Sequence, residues 1–113
     1  MKTLITQVGS YLTGDAVADA VVQYWLALAE ERRADIIDIP VVGSDGRRSH
    51  VRLALGATLP IAVVDADPID GYDDHDAARI LLARIPSLSP DGGTAFDPGD
   101  LSGVHDEWDS FSA

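Results

Sequence analysis

The sequence predicts an α+β fold: a mixed four-stranded sheet in β-α-β-β-β-α order with helices packed on it, followed by an irregular acidic C-terminal tail. Three patterns predict it: period-two alternation over residues 3–12, a helical apolar period over 14–33, and two strand-like runs around a glycine-containing loop. The length of 113 residues suits a single domain. We expect that domain to span 1–86. A Pro/Gly/Asp-rich tail then covers 87–113, with a short helical end that docks on the domain or on a partner.

The first strand and the first helix are predicted from residues 3–33. Alternation over 3–12 indicates one strand, bent at Gly9. Thr13 is positioned to cap the following helix, and Asp15 places a carboxylate at the positive end of the helix dipole. Because a helix joins this strand to the next, we expect the two strands to be parallel with a right-handed connection.

The apolar face of this helix is wide for a surface helix. Val17, Val21, Tyr24, Trp25 and Leu28 form one face, and three further apolar residues extend it sideways. A surface helix usually needs an apolar arc of about 100°. Two interpretations stay open. Either the sheet and the second helix bury the whole arc, or part of it forms an interface between copies of the chain, with Tyr24 or Trp25 as the anchor.

Apolar residues recur at every second position on both sides of residues 43–47, which predicts a β-hairpin. A two-residue Asp-Gly turn would place the two apolar sets on opposite faces. A three-residue loop with Gly46 in the left-handed region keeps them together. In that register Asp38 lies opposite Arg52 as a cross-strand ion pair. Pro40 indicates that one side of its strand is unpaired there.

The remaining elements are a third meander strand, a second helix and the tail. Residues 60–65 are continuously apolar up to the final aspartate, which predicts a strand buried on both faces. Residues 74–85 have a helical apolar period that Pro86 ends. In the tail, Trp108 and Phe111 lie among acidic residues. These rings either seal the domain's own core or bind a partner or a second copy of the chain.

The net charge of −11 is carried almost entirely by the second half of the chain. Residues 61–113 contain two basic and twelve acidic side chains. Such a surface repels phosphate backbones and anionic lipid. We therefore expect no nucleic-acid or membrane partner, and a basic protein or a cation is the electrostatically matched one. Acidity that serves solubility alone is the other interpretation.

The composition also predicts a cellular compartment. Cysteine is absent, which excludes disulfides and thiolate metal sites. The first residues have no signal-peptide pattern, and no apolar run approaches the roughly 18 residues that span a bilayer. Arginine greatly outnumbers lysine, and alanine, aspartate and glycine are abundant, as is typical of GC-rich bacterial genomes. We expect a bacterial cytoplasmic protein.

Residues 65–76 contain six carboxylates and one imidazole, directly after the third predicted meander strand. Hard cations bind several oxygens from one short loop, so this segment is a candidate divalent-cation site. The candidate ligands are Asp65, Asp67, Asp70 and Asp73. The spacing fits neither the calcium loop of EF-hand proteins nor the Asp-x-Asp motif of haloacid dehalogenase-like phosphatases. The other interpretation is a solvated loop in which Asp73 or Asp74 caps the second helix.

No complete catalytic set is recognisable in the sequence. The three histidines are not paired at ligand spacing, and no serine lies in a nucleophile-elbow context. The sequence therefore favours a non-enzymatic protein-interaction or assembly module without a cofactor. We expect it to self-associate, most simply as a dimer, through Tyr24, Trp25, Trp108 or Phe111. The alternatives are a small metal-dependent enzyme or divalent-cation-binding regulator that uses residues 65–76, and a domain that binds a small ligand.

Overall fold

The computed structural model describes residues 1–88, so predictions about residues 89–113, including Trp108 and Phe111, lie outside the described part of the chain. The predicted α+β class is confirmed, because one antiparallel sheet carries two helices. The strands are β1 (Lys2–Thr6), β2 (Gly9–Thr13), β3 (Ala34–Val42), β4 (Arg48–Gly56) and β5 (Ala62–Asp65). The helices are α1 (Asp15–Glu30) and α2 (His75–Leu82), followed by a 3-10 turn at Ile85–Leu88.

The predicted mixed sheet of four strands is corrected to an antiparallel sheet of five, in the order β4-β3-β2-β1-β5. The single bent strand predicted over residues 3–12 is instead the hairpin β1–β2. The Thr6 hydroxyl organises its turn, since it donates to the Gly9 carbonyl at 2.8 Å and accepts from the Val8 and Gly9 N–H groups at 3.2 Å. The extra reversal means that β3 returns antiparallel to β2, so the predicted parallel crossover does not form.

The strand predicted over residues 60–65 is not buried on both faces. β5 is a four-residue edge strand that pairs with β1, with Val63 opposite Leu4. Val63 packs against the core, whereas Ala62 and Val64 are exposed on the other face. The predicted meander is corrected too, because β5 lies at the edge of the sheet opposite to β4.

The β3–β4 hairpin has the predicted register. Asp38 pairs with Arg52, and the Gly43 N–H donates to the Arg47 carbonyl at 2.8 Å, which leaves a three-residue loop. Gly46 within it has a φ of 82°, the left-handed conformation that glycine adopts without strain. Pairing between β2 and β3 is restricted to Leu12 and Val42, so Pro40 lies beyond it, as its missing N–H requires.

Helix α1 packs its wide apolar face into the core. The fully buried large side chains include Val17, Val21, Tyr24 and Leu28 from α1, together with Leu4, Ile37, Ile39 and Leu55 from the sheet. Helix α2 adds Ala78 and Leu81, so the sheet and the second helix cover the arc together. Leu26, with 51% of its surface exposed, is the one large apolar residue that α1 leaves strongly exposed.

Tyr24 joins α1 to β3 and to the segment that follows α2. Its hydroxyl donates to the Asp35 carboxylate, which also pairs with the Arg84 guanidinium. Burial of the phenol and the adjacent Asp35 carboxylate raise the pKa of Tyr24 to about 12. Nearby, Arg33 donates to the Leu88 carbonyl at 3.4 Å, and the Leu88 side chain is buried. Leu88 therefore belongs to the packed unit.

Candidate functional site

The candidate site is the acidic segment 65–76, which is held against the N-terminus of α1 by a side-chain hydrogen bond. Thr13, the predicted cap, instead donates its hydroxyl to the Pro40 carbonyl at 2.7 Å. Gly14 occupies the cap position without a side-chain cap. The Asp74 carboxylate, which is remote in sequence, caps the helix instead, because it accepts the Val17 N–H at 2.9 Å. Only 8% of Asp74 is exposed, so a largely buried charge lies at the positive end of the α1 dipole.

Gly14 is the residue that makes this contact possible. A Cβ atom at this position would overlap the Asp74 carboxylate, both of whose oxygens lie against the Gly14 backbone. Gly14 has φ −77° and ψ 164°, which any residue adopts, so the requirement for glycine comes from space and not from backbone conformation. Gly14 and Asp74 are therefore fitted to each other although they are far apart in the sequence.

The other end of the acidic segment is held to β1. Asp65 pairs with Lys2, and this ion pair lowers the pKa of Asp65 and raises that of Lys2. The Ala66 N–H donates to the Met1 carbonyl at 3.0 Å. The segment is thus anchored at both ends, and the residues between the anchors form an exposed loop.

The four predicted metal ligands do not converge. Asp65 is engaged by Lys2, while Asp67 and Asp70 are exposed and form no salt bridge within residues 1–88. Asp73 accepts the His75 N–H at 3.0 Å and contacts His75 Nδ1 at 2.7 Å. The backbone N–H, and then the imidazole, lower the pKa of Asp73, and the same side-chain contact raises the pKa of His75.

The structure brings together a different set of possible ligands, Asp73, Asp74 and His75, whose ligand atoms lie within 4.8 Å of one another. Two of these groups bond to each other, and the third caps α1. A cation bound by all three would therefore compete with the helix cap. Sequence spacing could not identify this competition, because Val17 is remote from Asp74 in the chain.

An open groove of about 370 Å³ lies beside this cluster, between the β3–β4 hairpin and the start of α2. The Arg48 guanidinium lies 5.0 Å from the centre of the Tyr72 ring, a cation–π contact that the sequence did not reveal. The polar side chains that line the groove are Arg48, Ser49, His50, Tyr72, Asp73, Asp74 and Asp76. Cations and carboxylates are thus mixed, so the groove does not select one sign of charge.

His50 and Ser49 in this groove do not form a catalytic pair. His50 Nδ1 contacts Asp38 at 3.1 Å, which is the arrangement of a base held by a carboxylate. Ser49 is the neighbouring residue of the same strand, however, and successive side chains of a strand point to opposite faces. The described part of the chain contains no hydrogen bond between them.

The predicted interface residues lie in different environments. Tyr24 is only 1% exposed and belongs to the core, so it offers no surface to a second chain. Trp25 is half-buried, and its indole N–H donates to the Leu59 carbonyl at 2.9 Å.

The chain matches no protein-family model, no curated protein and no solved structure. In the portion of the chain that the structure describes, both helices are too short to cross a membrane.

Weak cation binding is the expected behaviour of this loop. We predict dissociation constants for Mg²⁺, Ca²⁺ and Mn²⁺ above about 1 mM, because too few free oxygens converge and one carboxylate is already the α1 cap. Isothermal titration calorimetry of the full chain measures this. Asp45→Asn, on the β3–β4 loop, is the charge-matched control. Micromolar binding that persists in Asp45→Asn and disappears in Asp67→Asn or Asp73→Asn would contradict the prediction.

Proposed function

We propose that the chain is a non-enzymatic protein-interaction module that binds a basic protein through its acidic loop, residues 65–76. The observation that carries the proposal is the state of the loop's carboxylates. Asp67 and Asp70 are exposed and unpaired within residues 1–88, yet the loop that presents them is anchored at both ends.

Anchoring favours binding because it reduces the ordering that association requires. A flexible loop loses conformational freedom when a partner fixes it, and that loss weakens affinity. Here Lys2 and the Met1 carbonyl hold one end, and the N-terminus of α1 holds the other. Between them, a turn closes from the Tyr72 N–H to the Ile69 carbonyl at 3.3 Å, with Gly71 at a φ of 75°.

The surroundings of the loop carry both signs of charge. Asp19 and Asp76 are exposed beside the loop, and Asp76 pairs with Arg79 at 3.0 Å. Ile69 is 38% exposed between Asp67 and Asp70, so it supplies apolar area at the centre of the charged rim. An apolar centre within a polar rim is the usual anatomy of a protein interface.

Electrostatics selects the class of partner. A surface of one sign accelerates encounter with the opposite sign and repels its own, so a basic protein is favoured over nucleic acid or an anionic membrane. We place this interaction in the bacterial cytoplasm, consistent with the absence of cysteine. A metal-dependent enzyme or cation regulator, the alternative, would need ligands that are free to bind an ion, whereas Asp73 and His75 contact each other and Asp74 caps α1.

A second candidate function, self-association into a dimer, is favoured by the face of the sheet opposite the helices. On that face Ile5 and Val64 are exposed, at 38% and 50%, beside Ala62 and the partly buried Leu12. Register places them in adjacent rows of β5, β1 and β2. The dimer is thus proposed through this sheet face and not through α1, whose largest apolar side chains are buried in the core. Two-fold symmetry is the commonest arrangement for such a patch.

Neutralising the loop should weaken partner binding. We predict that the double variant Asp67→Asn/Asp70→Asn binds the basic partner about tenfold more weakly, as expected for two rim charges worth about 1.4 kcal/mol together. Proteins captured by the immobilised chain from the source cell are identified, and the dissociation constant of each purified one is measured at two salt concentrations.

The control is Asp38→Asn/Asp45→Asn, which removes the same charge from the β3–β4 hairpin and should leave the affinity unchanged. Equal weakening by both double variants, or a captured partner that is itself acidic, would contradict the proposal. A salt-dependent gel shift with DNA or RNA at physiological ionic strength would also contradict it.

Self-association should appear as a two-chain mass. We predict that sedimentation equilibrium at micromolar concentration gives a dimer, and that Val64→Asp converts it to a monomer because a charge is buried in the interface. Ile80→Asp is the matched control, since Ile80 is 62% exposed on α2, away from the sheet face. A one-chain mass for the unmodified protein at all concentrations would refute the dimer, and an equal effect of the two variants would refute its position.

A further inference from the structure

Strand β4 and its turn carry a basic surface on an otherwise acidic protein. Arg47, Arg48 and Arg52 are three of the chain's eight lysines and arginines, and His50 lies among them. Two carboxylates already contact this surface: Asp38 contacts His50 at 3.1 Å and Arg52 at 4.0 Å, and Asp45 pairs with Arg47 at 3.6 Å. Arg48 has no carboxylate partner within residues 1–88 and stacks on Tyr72.

The same strand is an edge of the sheet. Among the described strands, β4 pairs with β3 on one side only, and its nine residues leave a long row of backbone groups for a further strand or extended segment. Pairing with β4 of a second copy is disfavoured, because antiparallel pairing would place the arginines of the two strands near each other.

The chain itself contains a segment of complementary charge. Residues 89–113 hold six of the nineteen acidic side chains and no lysine or arginine, and they include Trp108 and Phe111. The basic surface of β4 would attract this segment, and the acidic loop 65–76, which meets that surface where Arg48 stacks on Tyr72, would repel it.

The last described residue, Leu88, is linked through the Arg33 side chain to the start of β3. The Leu88 carbonyl accepts from Arg33 Nη1 at 3.4 Å, and Arg33 directly precedes Ala34, which pairs with Gly56, the last residue of β4. A segment that continues from Leu88 can therefore run antiparallel to β4. Nine residues of strand span about 30 Å, and 25 residues reach up to about 80 Å, so the length is sufficient.

We infer that residues 89–113 dock in cis along β4, with their carboxylates on the Arg47, Arg48 and Arg52 side chains. This docking covers an open sheet edge and neutralises the basic surface. It does not depend on the proposed function, although it would leave the acidic loop as the main charged surface available to a partner.

A paramagnetic label tests this directly, because the chain contains no cysteine and Ser110→Cys provides a single attachment site. In the ¹⁵N-labelled full chain carrying a nitroxide at this position, amide resonances of residues 48–55 should lose intensity. The loss should vanish in Arg48→Gln/Arg52→Gln and at about 1 M salt, where the Debye length is about 3 Å. It should persist in the control Arg32→Gln/Arg79→Gln, which removes two exposed cations elsewhere.

A mixture of two samples distinguishes docking within one chain from docking between chains. One sample is ¹⁴N protein that carries the nitroxide, and the other is ¹⁵N-labelled protein without it. Intensity loss in the mixture would show that the segment binds a second copy, which overturns the inference. Loss confined to another surface, or no loss at all, overturns it as well. The amide spectrum of each variant shows at the same time whether its fold is intact.

Discussion

The contact between the Asp74 carboxylate and the N-terminus of α1 is the interaction on which the arrangement of this protein depends. Helix N-termini leave backbone N–H groups without partners, and a carboxylate there is favoured by hydrogen bonding and by the helix dipole. Because Asp74 immediately precedes α2, the contact also places α2 beside α1. Ala78 and Leu81 can then complete the core that the antiparallel sheet begins.

The same contact explains why the carboxylates of the loop diverge. Asp74 is withdrawn from the surface, and Asp65 is held at the opposite end of the segment by Lys2. Between these anchors, Asp67 and Asp70 are exposed and belong to no group of three possible ligands within residues 1–88. A fixed loop of separated charges is suited to recognising a surface of opposite charge, and it is poorly suited to enclosing a cation.

Sequence patterns predicted the elements whose information is local. The β3–β4 register followed from period-two alternation and from one glycine, Gly46, and the wide apolar face of α1 correctly indicated burial by more than one element. The β1–β2 turn was missed because Thr6 and its neighbours lack an Asn-Gly or Asp-Gly signal. The position of β5 was missed because a short apolar run looks the same in a central strand and in an edge strand.

The site was only partly predictable for the same reason. Composition located the acidic segment, and one interpretation of the sequence predicted that Asp73 or Asp74 caps α2, the helix next to them in sequence. The helix that it caps is α1, since tertiary packing brings Gly14 and Val17 against it. The contact between Gly14 and Asp74 cannot be predicted from local sequence patterns, because the two residues are far apart in the chain and neither has an unusual local context.

The most direct test of this account is a double-mutant cycle of Gly14→Ala and Asp74→Ala, measured by urea unfolding. With Asp74 present, Gly14→Ala should lower the free energy of unfolding by about 1–3 kcal/mol, because the new methyl group overlaps the Asp74 carboxylate. In the Asp74→Ala background the loss should fall to about 0.5 kcal/mol, since the overlap is gone and only the weaker preference for alanine at a helix N-cap remains. Additive losses in the two backgrounds would contradict the claim that these residues are fitted to each other.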